Sequence, residues 1–237
     1  MLDPNVALEP VDAFAWLAVI AAAAFLVSWL FTDVLNVHRT AYVGVLAILA
    51  GALAVGYPLW SDQSATFWTH NWAWGLLGAV VTGALLAVLI RRSPEAHASA
   101  RHIEAGRGFW EGLVYGAAEG LVLSVLPVLT IWQGFAAAGW TVGWLGVVAA
   151  AAALAGSALV IVVHHLGYRE YRSRAVIQPV IGCLILSVGF LLTASPLAAV
   201  GGHIVLHLAM LRHGIELPPH AHAVTEMRGE GTPAFAR

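Results

Sequence analysis

The sequence predicts an all-α polytopic membrane helix bundle with seven transmembrane helices, on three observations. Apolar residues make up 60% of the 237-residue chain and charged residues only 10%, where an average soluble domain carries roughly 25% charge. The apolar residues gather into seven long runs. Arginine occurs only in alternate connections between those runs.

The runs cover residues 13–31, 41–60, 72–90, 109–132, 142–165, 176–192 and 196–211. The first five reach the ~20 residues needed to cross a hydrocarbon core of ~30 Å. The last two are shorter, with Ser195-Pro196 in the break between them. Ser-Pro is a turn signal and Pro suits a helix start, so these two form a tight helical hairpin. Trp60, Trp72, Trp74, Trp132, Trp140 and Trp144 cluster at run ends, as an interfacial aromatic belt requires.

Residues 1–12 are acidic and lack the positive stretch of a cleavable signal, so the first run reads as a mature span after an extracytoplasmic tail. All basic residues are arginine. Arg39 follows run one; Arg91, Arg92, Arg101 and Arg107 follow run three; Arg169, Arg172 and Arg174 follow run five; Arg212, Arg228 and Arg237 follow run seven. The positive-inside rule then places the N-terminus out and the C-terminus in. The membrane domain is 13–212, and 213–237 reads as a disordered cytoplasmic tail rich in Pro, Gly and His. The arginine-only basic set and high alanine content suggest a bacterial inner membrane. There is no basic stripe, which sets nucleic acid aside as a partner. The single cysteine, Cys183, excludes an intrachain disulfide.

Glu119 is the most informative residue. It lies in the middle of the fourth run, where a charged carboxylate costs about 2.5–3.5 kcal/mol on insertion scales. Counted from Phe109, it is about 15 Å into the membrane at 1.5 Å per residue. Glu111 lies near the cytoplasmic surface and reads as an interfacial charge. His164 and His165 end the fifth run; adjacent helical residues point about 100° apart, so one of them faces any common site. His203 and His207 share one face of the last run, the i,i+4 geometry of paired metal ligands. Gly112, Gly116, Gly120, Gly156, Gly201 and Gly202 permit close helix packing. Pro127 predicts a kink beyond Glu119 that frees backbone groups near it. Glu119, His164, His165, His203 and His207 are therefore the candidate catalytic residues. His165, His203 and His207 are the candidate metal ligands, and imidazoles beside a carboxylate suit zinc with an open position.

The segment Gly116-Ala117-Ala118-Glu119-Gly120-Leu121-Val122-Leu123-Ser124 resembles the first motif of the CPBP intramembrane proteases, the CAAX-prenyl endopeptidase and bacteriocin-processing family. Glu119 matches the first Glu of that Glu-Glu-x3-Arg motif, while Gly120 and Ser124 stand at its second Glu and its Arg. The family's Phe-x3-His resembles Val160 to His164 or Ile161 to His165, and its His-x3-Asn resembles His203 to His207. The resemblance covers roughly 107–212 and implies a hydrolase that cuts a peptide or membrane-protein substrate near the cytoplasmic face. It implies Glu119 as the base that activates water, His203 and one of His164/His165 as its holders, and His207 in the Asn role. Three other readings stand beside it. The His-x3-His on the last run is similar to that of hemolysin III-like zinc hydrolases, although the second run has no histidine. Histidines on two spans suit axial ligation of haem. A scaffold or partner protein without chemistry is the fourth.

Overall fold

The computed structural model describes residues 8–215, apart from 62, 64, 95 and 97–100. The tail beyond 215, with His220 and His222, lies outside the described residues, as do residues 1–7. Among the described residues there is no strand. The helices are α1 (Pro10–Val34), α2 (Arg39–Ser61), α3 (Trp72–Arg91), α4 (Ala105–Ala137), α5 (Gly143–Leu166), α6 (Arg174–Thr193) and α7 (Pro196–Arg212). The first six are long and apolar enough to cross a membrane; α7, with 17 residues, is shorter.

The α6–α7 connection is a hairpin made by three residues. Ala194 takes the left-handed conformation (φ 52°) and its N–H caps the carbonyl of Phe190 at 2.8 Å. Ser195 is extended, and Pro196 opens α7, where its missing N–H is no loss.

α4 is the central helix. In its most apolar window 83% of residues are buried, against no more than 33% in the other five spanning helices. α1 and α5 clasp its second half, α2 and α7 flank its first half, and α6 lies against its middle. α3 packs outside, along α7 and α6.

Small residues set the α4–α7 distance. Gly112, Gly116 and Gly120 recur every fourth residue on the face of α4 toward α7. A methyl group on Gly116 would stand 2.8 Å from Ile204 Cα, and one on Gly120 would stand 2.9 Å from Val200 Cα. Backbone therefore meets backbone, as small-residue repeats allow in apolar surroundings. That approach carries His203 and His207 to the side of α4.

Pro127 frees a backbone carbonyl, as the sequence suggests. It lacks the N–H that would bond Leu123, four residues earlier. The Leu123 carbonyl instead accepts from Ser157 Oγ of α5 at 2.7 Å. The preceding residues Gly120–Val125 are wound as π-helix. A second π segment, Gly108–Val114, lies before Tyr115–Glu119. Such wide turns recur at functional sites.

The described arginines gather at one end of the bundle. Arg39 of α2 pairs with Glu111 of α4 at 2.8 Å. Arg172 pairs with Asp33 of α1 at 2.7 Å, and Arg169 bonds the same carboxylate. The N–H of Arg101 reaches the carbonyl of Arg212 at 2.8 Å.

Candidate functional site

Glu119 is 5% exposed, and its carboxylate meets three imidazoles from two other helices. His207 Nε2 lies 2.8 Å from Oε2, His203 Nε2 3.3 Å from the same oxygen, and His164 Nε2 3.4 Å from Oε1. Two come from α7, one turn apart, and one from the last turn of α5. All three rings are at most 2% exposed.

Backbone carbonyls fix the protons on two of the rings. His207 Nδ1 lies 3.0 Å from the carbonyl oxygen of Glu111, and His164 Nδ1 3.1 Å from that of Ala24. A carbonyl only accepts, so each Nδ1 carries a hydrogen and, in the neutral ring, each Nε2 presents a lone pair to Glu119. The carboxylate offers lone pairs as well, so this convergence calls for a cation between its members. A proton serves at the 2.8 Å His207–Glu119 separation, which is that of a hydrogen bond.

A divalent metal ion also fits the donor chemistry. Glu119, His203 and His207 offer ligand atoms within 4.8 Å of one another. His207 has the outer-shell partner typical of a ligating histidine, a carbonyl on its second nitrogen. His203 differs: its Nδ1 is buried with no hydrogen-bond partner.

The local winding of α4 prepares one of these contacts. The N–H of Tyr115 bonds the carbonyls of Trp110 and Gly112. It passes over the intervening carbonyl of Glu111, which the His207 ring takes. On α1, Ser28 Oγ lies 2.7 Å from the carbonyl of His164 and 3.0 Å from that of Ala24, stapling the end of α5 beside its acceptor.

A cluster of tyrosines backs His164. Tyr168 Oη lies 3.1 Å from His164 Nε2 and 3.1 Å from Tyr115 Oη, and it also bonds Tyr42 Oη of α2. Burial holds the Tyr168 phenol well above its ordinary range, so it keeps its proton and donates. The Tyr115 and His207 rings meet in a T-shaped contact, with centroids 4.6 Å apart.

The structure thus brings Glu119, His164, His203 and His207 together. His165 stands outside this group. Its Nδ1 donates to the carbonyl of Ile161 in its own helix at 2.8 Å, and its ring lies against His164 and Tyr171. The group that could hold a metal ion is Glu119 with His203 and His207; the expected ligand His165 stands outside it. One step around the helix turns the two neighbouring side chains in different directions, and His164 takes the inward one. Glu111 uses its side chain as an ion-pair partner, bonding Arg39 at 2.8 Å and Arg107 at 2.9 Å.

Sequence reasoning missed Tyr42, Tyr168 and Arg39. Tyr168 carried a signal, its spacing of four from His164; Tyr42 and Arg39 belong to a helix with no other site residue. Family models, curated proteins and solved structures give no match to this chain.

Proposed function

We propose that this protein is a divergent CPBP-like intramembrane hydrolase that cuts a peptide bond near the cytoplasmic face of a bacterial inner membrane, with the arginine end inside. The observation that carries this reading is the buried carboxylate of Glu119 held among three imidazole nitrogens, two of them with their protons turned away onto backbone carbonyls. Such a site is dry, preorganised and rich in proton acceptors, as general-base chemistry requires.

Glu119 takes a proton from a water molecule as the water oxygen attacks the scissile carbonyl carbon. The carbon–nitrogen bond then breaks, and the proton passes to the departing amine. His203 and His207 orient the carboxylate from one side and His164 from the other. His203, His207 and Glu119 are the residues that would hold a divalent ion such as zinc, which when bound supplies Lewis acidity. His164 is left outside that ligand set as a further acceptor beside Oε1.

The test compares membranes from cells producing the wild type with membranes from cells producing Glu119→Gln, by mass spectrometry of protein N-termini. New N-termini in the wild-type membranes that vanish with Glu119→Gln support the hydrolase. Identical N-termini in both leave a non-catalytic scaffold as the reading.

A further inference from the structure

We infer that Tyr168 is the positioning residue of this site, donating the hydrogen bond that fixes His164 as a proton acceptor beside Glu119. The argument begins with the two nitrogens of one ring. His164 Nδ1 faces the carbonyl of Ala24 at 3.1 Å and must donate to it. The Nε2 of the neutral ring is then bare. It has two near neighbours, Glu119 Oε1 at 3.4 Å and Tyr168 Oη at 3.1 Å. An ionised carboxylate brings only lone pairs, and 3.4 Å is long for a hydrogen bond. The phenol is the neighbour with a hydrogen to give.

Tyr168 is built for that task. Its hydroxyl gives its hydrogen to His164 and receives hydrogens from the hydroxyls of Tyr42 on α2 and Tyr115 on α4. All three tyrosines are at most 2% exposed. Water therefore does not compete, and the direction of the bonds is set by the single ring acceptor at the end of the series. Tyr168 follows α5 in extended backbone (φ −85°, ψ 136°), which lets its side chain return to a ring only four residues earlier. The groups facing His164 are Ala24 from α1, Glu119 from α4, and His165 and Tyr168 from its own segment, with Tyr42 and Tyr115 behind Tyr168 and with His203 and His207 across the carboxylate.

The catalytic meaning of this lock rests on the hydrolase reading; the lock itself does not. In that reading, the phenol hydrogen occupies the Nε2 lone pair, so the ring presents no N–H to Oε1 and that carboxylate oxygen stays open to take the proton from water. Without the phenol, the Ala24 carbonyl alone holds this tautomer against the pull of the Glu119 carboxylate, which draws an N–H onto Nε2 and is then blocked at Oε1.

The experiment is histidine nitrogen NMR on the detergent-solubilised full chain with isotope-labelled histidine, His164 being assigned by the signal that His164→Gln removes. The wild type is expected to show His164 protonated on Nδ1 and bare on Nε2. Tyr168→Phe should lose the bare-Nε2 signal, while Tyr42→Phe and Tyr115→Phe keep it. Zinc alone, added to Tyr168→Phe, should bind as it does to the wild type, which separates loss of the lock from collapse of the fold. An unchanged His164 signal in Tyr168→Phe overturns the proposal. So does a wild-type His164 ring protonated on Nε2, a result that does not depend on Tyr168→Phe folding. If the wild type binds no zinc and cuts no protein, the hydrolase reading falls, and the His164 signals still decide the role of Tyr168.

Discussion

The carbonyl of Glu111 accepts the Nδ1–H of His207 at 3.0 Å, joining the first turns of α4 to the last turns of α7. One residue of α4 thus directs the face that a ring on another helix presents to Glu119. His207→Ala removes this donor and the 2.8 Å partner of Glu119 together. Leaving buried acceptors unsatisfied costs about 1–3 kcal/mol each. The expected outcome is a lower thermal unfolding midpoint and, by elemental analysis, weaker uptake of added zinc than by the wild type. His207→Asn should restore part of the stability if the position only needs a donor, and none of the zinc.

The close approach of α4 and α7 predicts intolerance to a single methyl group. Gly116→Ala places a carbon 2.8 Å from Ile204 Cα and 3.0 Å from the carbonyl oxygen of His203. Both neighbours are backbone, so relief requires helix movement. Overpacking of this kind costs about 1–3 kcal/mol. Gly106→Ala, a position with open space around it, is the control. Equal stability of the two variants would contradict the packing described here.

Arg39 is 7% exposed, and its guanidinium meets the Glu111 carboxylate, itself mostly buried. Removing Arg39 leaves the mostly buried Glu111 carboxylate with only the half-exposed Arg107 beside it, at a cost below the about 3–5 kcal/mol of a fully uncompensated buried charge. Arg39→Met alone should destabilise. Arg39→Met with Glu111→Gln should recover most of the loss, read by thermal unfolding in detergent. Failure to recover would mean that Arg39 acts through packing of its stem rather than through the pair.

The runs of apolar residues and the hairpin at Ser195-Pro196 were legible because burial and turn chemistry act locally. The small-residue series Gly112, Gly116 and Gly120 was legible for the same reason. The convergence of Glu119 with His203 and His207 was legible in part, since i,i+4 spacing gives the two rings one face. The choice between His164 and His165 was not, because a single helical step separates them and only the rotation of α5 against α4 decides it. Tyr42 and Arg39 were invisible for a different reason. They reach the site through the placement of α2, and nothing in their own segment points to a buried partner. The π winding before and after Glu119 leaves no composition signal beyond Pro127.

The tyrosines at the end of α5 make the fold sensitive to alkali. Tyr168 and Tyr171 lie past the last residue of the helix, and burial holds both phenols above their ordinary range. The neighbouring Tyr115 adds to the effect at Tyr168, and the charge of Glu119 adds to it at Tyr171. Below the unfolded value of about 10, folded and unfolded chains hold these protons equally. Above it the unfolded chain releases them and the folded chain does not. Stability contributed by the two phenols, Tyr168 fully buried and Tyr171 partly, is therefore fully present below about pH 10 and is lost as pH rises toward the folded values, by up to about 1.4 kcal/mol per pH unit for the Tyr168 proton and less for that of Tyr171. Thermal unfolding followed across that window should show the midpoint falling, and Tyr168→Phe with Tyr171→Phe should flatten the fall. Tyrosinate absorbance attributable to these two residues, rising with an ordinary midpoint while helicity stays intact, would show that they meet water and that His164 lacks a dry donor.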